Sequence, residues 1–218
     1  MTTARADSNT RLKNGDRIIF FGDSLTELGE APKGYISLIK NVIERDHPKE
    51  NIELVGAGIS GDKVVDLQQR VHRDVVEKQP TLVVIFIGIN DVWCSEDDPQ
   101  SITPPAKFKM KLENLAALIA RSGAGIVLCT PTVIGERKIG TNPLDSELDE
   151  LSQIARNIAR ENNYSICDLR QGFVDYLNSH NDENVTSGLL TLDRVHLSDS
   201  GNALVSKLML ATLGEKQT

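Results

Sequence analysis

The segment Thr81-Leu82-Val83-Val84-Ile85-Phe86-Ile87 constrains the fold more than any other part of the chain. Seven β-branched or apolar residues run without a charged or amide side chain, bounded by Pro80 and Gly88. The run is far too short to cross a bilayer, which takes about 20 residues. A strand with one wet face would alternate apolar and polar side chains. A continuous run instead describes a strand buried on both faces, as in a parallel sheet covered by helices on each side.

The rest of the chain fits that frame. Arg17 to Phe21, Ile52 to Val55, Gly125 to Thr130 and Tyr164 to Asp168 read as further strands. Helical spacing runs over Gly34–Asp46, Val64–Val76, Pro105–Arg121, Leu144–Glu161 and Ser198–Leu213, with Ser198 as a cap. Strands alternating with helices predict an α/β sandwich on a parallel sheet of five strands. No repeat, linker or low-complexity stretch divides the 218 residues, so a single domain over 15–218 is expected. Met1 to Asn14 is polar and aperiodic, which predicts a flexible N-terminal arm over 1–14.

Composition removes several function classes. Lys+Arg is 24 against 31 Asp+Glu, a net charge of −7 that disfavours nucleic-acid and anionic-membrane partners. The three cysteines, Cys94, Cys129 and Cys167, are odd in number and lack a CxxC spacing, so neither a disulfide framework nor a zinc ribbon is expected. No apolar run is long enough for a membrane span, and the first ten residues lack the apolar core of a signal peptide. The cytoplasm is the default compartment, with a trimmed secreted form left open. His47, His72 and His180 are scattered and no HExxH occurs, so no metal and no cofactor are expected.

Four long irregular segments stand out: Gly22–Lys33, Val92–Pro104, Thr132–Pro143 and His180–Leu197. The first three follow strands, and open α/β sheets place their ligand sites beyond the strands' carboxyl ends. Four short clusters fall there. Gly22-Asp23-Ser24-Leu25 can expose a serine hydroxyl on a turn; it can equally be a plain helix cap. Gly58-Ile59-Ser60-Gly61-Asp62 offers an unobstructed N–H at Gly61, or is an ordinary βα turn. Gly88-Ile89-Asn90-Asp91 places an amide that can donate to an oxyanion, or ends the strand in an Asx turn. Asp193-Arg194-Val195-His196 puts a carboxylate within reach of an imidazole, or forms a surface ion pair or half a metal site.

Taken in order, these blocks resemble the SGNH hydrolase superfamily, the GDSL esterases and lipases. Gly22-Asp23-Ser24-Leu25 is similar to the first block, Gly61 falls at the second-block glycine, Gly88-x-Asn90-Asp91 matches the third and Asp193-x-x-His196 the fifth. The likeness spans residues 17 to about 210. It implies a three-layer, flavodoxin-like α/β/α fold and a metal-free serine esterase acting through an acyl-enzyme. Its triad would be Ser24, His196 and Asp193, and its oxyanion hole the Ser24 and Gly61 amides with the Asn90 side chain. The chain departs from many members in having Val55-Gly56-Ala57-Gly58, without asparagine, before the second block. Asp23, Asp91 and Trp93 are expected in the substrate pocket, with Cys94 beside them. Arg137 and Lys138 form either a rim or a solvated loop. The low aromatic content of 4% favours a short acyl or acetyl ester, including acetylated carbohydrate, over a long-chain lipid. An acyltransferase using an alcohol acceptor and a non-catalytic binding module remain as alternatives. The partner is thus a small ester, and the oligomeric state is not legible.

Overall fold

A computed structural model describes residues 12–93 and 102–215. Five strands form one sheet: β1 (Arg17–Gly22), β2 (Glu53–Gly58), β3 (Leu82–Phe86), β4 (Gly125–Cys129) and β5 (Ser165–Cys167). Their order is β2-β1-β3-β4-β5 and every pairing is parallel. This is the doubly wound arrangement, in which the chain first steps one way from β1 and then crosses to fill the other side. All five residues of β3 are buried, as the uninterrupted apolar run requires.

Eight helices connect and cover the strands among the described residues: α1 (Ser24–Gly29), α2 (Tyr35–Asp46), α3 (Val64–Asp74), α4 (Ile89–Val92), α5 (Pro105–Arg121), α6 (Asp145–Asn162), α7 (Leu169–His180) and α8 (Asp199–Thr212). α2 and α7 pack against α8, while α5 packs against α3 and α6, which gives the two helical layers. Each long helix turns one apolar stripe inward; on α5 this is Phe108, Leu112, Leu115 and Ile119. None of these helices is long and apolar enough to cross a membrane.

Three helices were not expected. α1 and α4 are short turns at strand ends. α7 carries Leu169, Phe173 and Leu177 at i, i+4 and i+8, all buried, but it starts one residue after a three-residue strand. Its cap is Asp168, whose carboxylate accepts from the Gln171 N–H. β2 also runs further than expected, through Gly56 and Gly58, because edge pairing with β1 holds residues of low strand propensity. Of the expected arm, 1–11 lies outside the described residues. Leu12 packs on the core, and the Asn14 side chain accepts from the Asn51 N–H.

The register of the sheet sets the site. Gly22 sits opposite Gly58 on one side and Phe86 on the other, so the loops after β1, β2 and β3 leave the sheet together. A polar cleft of about 510 Å³ lies at the opposite, amino end of β1 and β2, between residues such as Asp16, Lys40 and Asn51. In a parallel sheet that is the wrong end for a ligand site.

Candidate active site

Ser24 is the first residue of α1. The Asp23 carboxylate caps the helix by accepting from the Leu25 N–H at 3.0 Å, and the Asp23 carbonyl accepts from Thr26 and Glu27. The turn is tight against β2. A Cβ on Gly58 would lie 2.1 Å from the Glu27 nitrogen, so only glycine fits there. Ser24 is thereby held at the carboxyl end of the sheet with its hydroxyl facing the loop before α8.

That loop is a closed turn. Thr191 and Leu197 form an antiparallel bridge, and the Leu192 N–H donates to the His196 carbonyl at 2.7 Å. Inside it, Asp193 Oδ1 accepts from the Val195 and His196 N–H groups at 3.1 and 2.8 Å. Asp193 Oδ2 lies 2.6 Å from His196 Nδ1, and His196 Nε2 lies 3.1 Å from Ser24 Oγ. Burial pushes the Asp193 carboxyl up, but the His196 ring and the two N–H donors outweigh it and hold the group below the usual range. An ionised carboxylate only accepts, so Nδ1 carries the imidazole proton and Nε2 is left to accept from the serine hydroxyl.

The turn is braced by the loop between β4 and α6. Arg194 takes a left-handed φ of +86°, a conformation that costs a non-glycine residue on the order of 1 kcal/mol. The Gly135 N–H holds it there by donating to the Arg194 carbonyl at 2.8 Å. Glu136, fully buried, accepts from the Leu189 N–H at 2.9 Å, the Leu190 N–H at 2.7 Å, the Thr191 hydroxyl at 2.7 Å and the Thr191 N–H. Arg170, also buried, ties down the foot of the bracing loop through the Thr132 carbonyl and Asp145. Neither Glu136 nor Arg170 was expected at the site. The nearby Arg137 and Lys138 are exposed.

The candidate oxyanion donors leave the three neighbouring strand ends. The Ser24 N–H occupies the first helical position, which has no acceptor within the helix. Gly61 has a φ of +85° on an exposed loop. Asn90 Nδ2 donates to the Asp62 carbonyl at 3.0 Å, which fixes the amide's orientation and leaves its second hydrogen unused.

Asp23 and Asp91 correct the expectation that they line the pocket. Asp23 is 1% exposed and Asp91 is 0% exposed. Asp91 Oδ2 accepts from the Val64 N–H at 3.1 Å and so holds the start of α3. Asp23 thus caps its own helix, and Asp91 supports a helix 27 residues earlier in the chain. Trp93 ends α4 half-buried against the core, while Cys94 lies outside the described residues. Cys129 and Cys167 are buried side by side on β4 and β5.

Burial drives the Asp23 carboxyl up to about 7; the Leu25 N–H opposes this and the Asp91 charge adds to it. Burial likewise raises Asp91, to about 6, against hydrogen bonds from Thr103 and Val64. In the unfolded chain Asp23 ionises near 3.8. Between pH 4 and 7 the native state therefore holds a proton that the unfolded state has lost. The associated stability is complete below pH 4 and is lost as pH rises through 7. Its full size is on the order of 4 kcal/mol. Asp23→Asn keeps the capping oxygen without the charge. It should unfold at higher urea than the parent at pH 8, with the difference vanishing near pH 4. A difference independent of pH would show that Asp23 is ionised throughout.

Among the described residues, no group of three or more His, Cys, Asp or Glu side chains is arranged to hold a metal ion. What converges at the carboxyl end of the sheet is a hydroxyl, an imidazole and a carboxylate in series, beside N–H donors at the ends of the neighbouring strands. These are the parts of a serine-type ester hydrolase. Residues 20–204 match the GDSL-like Lipase/Acylhydrolase family, and the chain belongs to it; it is a carboxylic ester hydrolase.

Three similar proteins, matched over most of their length, are esterases. An acetylxylan esterase from Geobacillus stearothermophilus is 28% identical over 94% of this chain and 96% of its own. The isoamyl acetate-hydrolyzing esterase 1 homolog of Mus musculus is 22% identical over 92% of this chain and 82% of its own. The crystal structure of the acetyl xylan esterase AlAXEase superposes with a TM-score of 0.87 at 38% identity, covering 90% of this chain and 99% of that one.

Proposed function

We propose that this protein removes acetyl groups from O-acetylated carbohydrate through an acyl-enzyme on Ser24. The observation that carries the proposal is the unbroken series Ser24 Oγ–His196 Nε2 and His196 Nδ1–Asp193 Oδ2, at 3.1 and 2.6 Å. Ser24 attacks the ester carbonyl as His196 takes its proton. The carbonyl oxygen becomes an oxyanion held by the Ser24 and Gly61 amides and the second Asn90 hydrogen. The tetrahedral intermediate collapses, and the leaving alcohol departs with the proton from His196. Water then repeats the sequence and releases acetate and free Ser24. Asp193 keeps the imidazole tautomer and stabilises its protonated form.

The acetyl group is supported by relatives that are acetylxylan and isoamyl acetate esterases. The groups in series with Ser24, His196 and Asp193, and the Asn90 amide at the end of the neighbouring strand are polar, which suits a hydroxyl-rich leaving group better than a lipid tail. A panel of p-nitrophenyl acetate, butyrate and octanoate, with acetylated xylooligosaccharides, tests this. The expected kcat/KM is highest for acetyl and falls about tenfold or more by octanoyl, with acetate released from the oligosaccharide. A preference for octanoyl would overturn the substrate assignment.

Asn90→Ala should lower kcat by about 10²–10³ with KM little changed, because the lost bond forms only to the transition state. A rise in KM alone would make Asn90 a binding residue.

A further inference from the structure

Arg70 is a cation on a helix face that otherwise buries Val64, Leu67 and Val71. It is 8% exposed, with its guanidinium 4.5 Å from the centre of the Phe21 ring. Every nitrogen of the fork is engaged. Nη2 donates to the Gly22 carbonyl at 2.8 Å, at the end of β1 just before Asp23 and Ser24. Nη1 donates to the Ala57 carbonyl near the end of β2 and to Asp74 Oδ2, each at 3.0 Å. Nε donates to Asp62 Oδ2 at 2.6 Å. One planar group thus clasps the ends of two strands and the loop that carries Gly61.

The Asp62 contact gives this clasp a direction. Ile59, Ser60 and Gly61 are exposed, and Gly61 is in the left-handed region. The outer side of the loop is tied by Glu27, which accepts from the Ser60 N–H at 2.7 Å. The inner side is tied through Asp62, whose carboxylate meets Arg70 and whose carbonyl accepts from Asn90 Nδ2 at 3.0 Å. A continuous series of bonds therefore runs from Arg70 through Asp62 to the Asn90 amide. Burial raises the Asp62 carboxyl against the pull of Arg70, so the pair is partly desolvated and its geometry is restrictive.

We propose that Arg70 is a positioning residue for ester hydrolysis. It fixes the Gly61–Asp62 loop relative to the Ser24 turn and, through the Asp62 carbonyl, aims the Asn90 amide at the developing oxyanion. This rests on the roles proposed above for Ser24 and Asn90. Lysine cannot replace it, since one ammonium cannot reach Gly22, Ala57 and Asp62 in three directions within a plane.

A double-mutant cycle on kcat tests the proposal. Rates are normalised to the fraction of protein that a fluorophosphonate labels at Ser24 when labelling is run to completion, which removes loss of folded enzyme from the comparison. Arg70→Lys is expected to lower normalised kcat by about 10- to 100-fold, with KM within about twofold, since a misaimed donor loses part of the 10²–10³ that its deletion costs. In an Asn90→Ala background the same change should cost several-fold less, because the amide it aims is gone and only the Gly61 donor is left to misplace. Asp62→Asn, which weakens the tether and spares the carbonyl, should show the same dependence on Asn90 with a smaller loss. It decides the matter if Arg70→Lys does not fold. Equal losses in both backgrounds, for whichever variant folds, would overturn the positioning role. Failure of the parent enzyme to be labelled at Ser24 would instead overturn the reading of Ser24 as nucleophile.

Discussion

Ser24→Ala is expected to lower kcat for acetyl ester hydrolysis by about 10⁶-fold, the scale on which removal of a nucleophile acting as a unit with its base is felt. The fold should be indifferent. Alanine at the first position of α1 keeps the Asp23 cap, which rests on Asp23 and the Leu25 N–H. What goes with the hydroxyl is its 3.1 Å bond to His196. The two measurements are acetate release and thermal unfolding of the same preparation, with fluorophosphonate labelling as a check that the reactive serine has gone. Residual turnover within about a hundredfold of the parent would exclude Ser24 as the nucleophile.

Asp193→Asn should cost less but still about 10⁴-fold in kcat, and the cause lies in how the two carboxylate oxygens are used. Oδ1 is committed to the Val195 and His196 N–H groups, and an amide can satisfy them only with its own oxygen. The amide nitrogen must then occupy the place of Oδ2, 2.6 Å from His196 Nδ1. Two donors would face each other unless the imidazole moves its proton to Nε2, where it can no longer accept from Ser24. Asp193→Ala imposes no such tautomer. The asparagine variant should therefore be no more active than the alanine variant when both are compared at pH 8. An asparagine variant retaining more than about a tenth of parental kcat would show that Asp193 does not set the tautomer.

The parts of this architecture that were legible from residues alone share one property: their determinants are local. The Thr81–Ile87 run announces a strand with two buried faces because every position carries the signal. Ser198 announces the cap of α8, and its hydroxyl does accept from the Gly201 N–H. The four blocks fall at strand ends and before the last helix, and the structure joins Ser24 to His196 and Asn90 to the Gly61–Asp62 loop. What was not legible depends on contacts made far along the chain. Glu136 looks like one more charge in a polar loop beside Arg137 and Lys138; its burial is decided by N–H groups 53 to 55 residues later. Asp23 and Asp91 were expected to face substrate, because a capping carboxylate and a pocket carboxylate look alike until exposure is known. Arg70 did leave a trace, as a charge three residues after Leu67 on an apolar stripe. Such a charge signals a buried partner, though not which one.

The spacing of the central contacts has a further consequence. Asp193 and His196 are three residues apart, whereas His196 and Ser24 are 172 apart. The Asp193–His196 pair can assemble within its own turn, but Ser24 meets it only when the first strand and the segment ahead of the last helix have both docked. During synthesis, the serine leaves the ribosome long before its base exists. On the roles proposed for Ser24 and His196, partly made chains carry the serine without its proton acceptor and are expected to be inactive. Onset of ester cleavage in a refolding or translating sample would report closure of the chain on itself, a clock for the last long-range step that needs no added label.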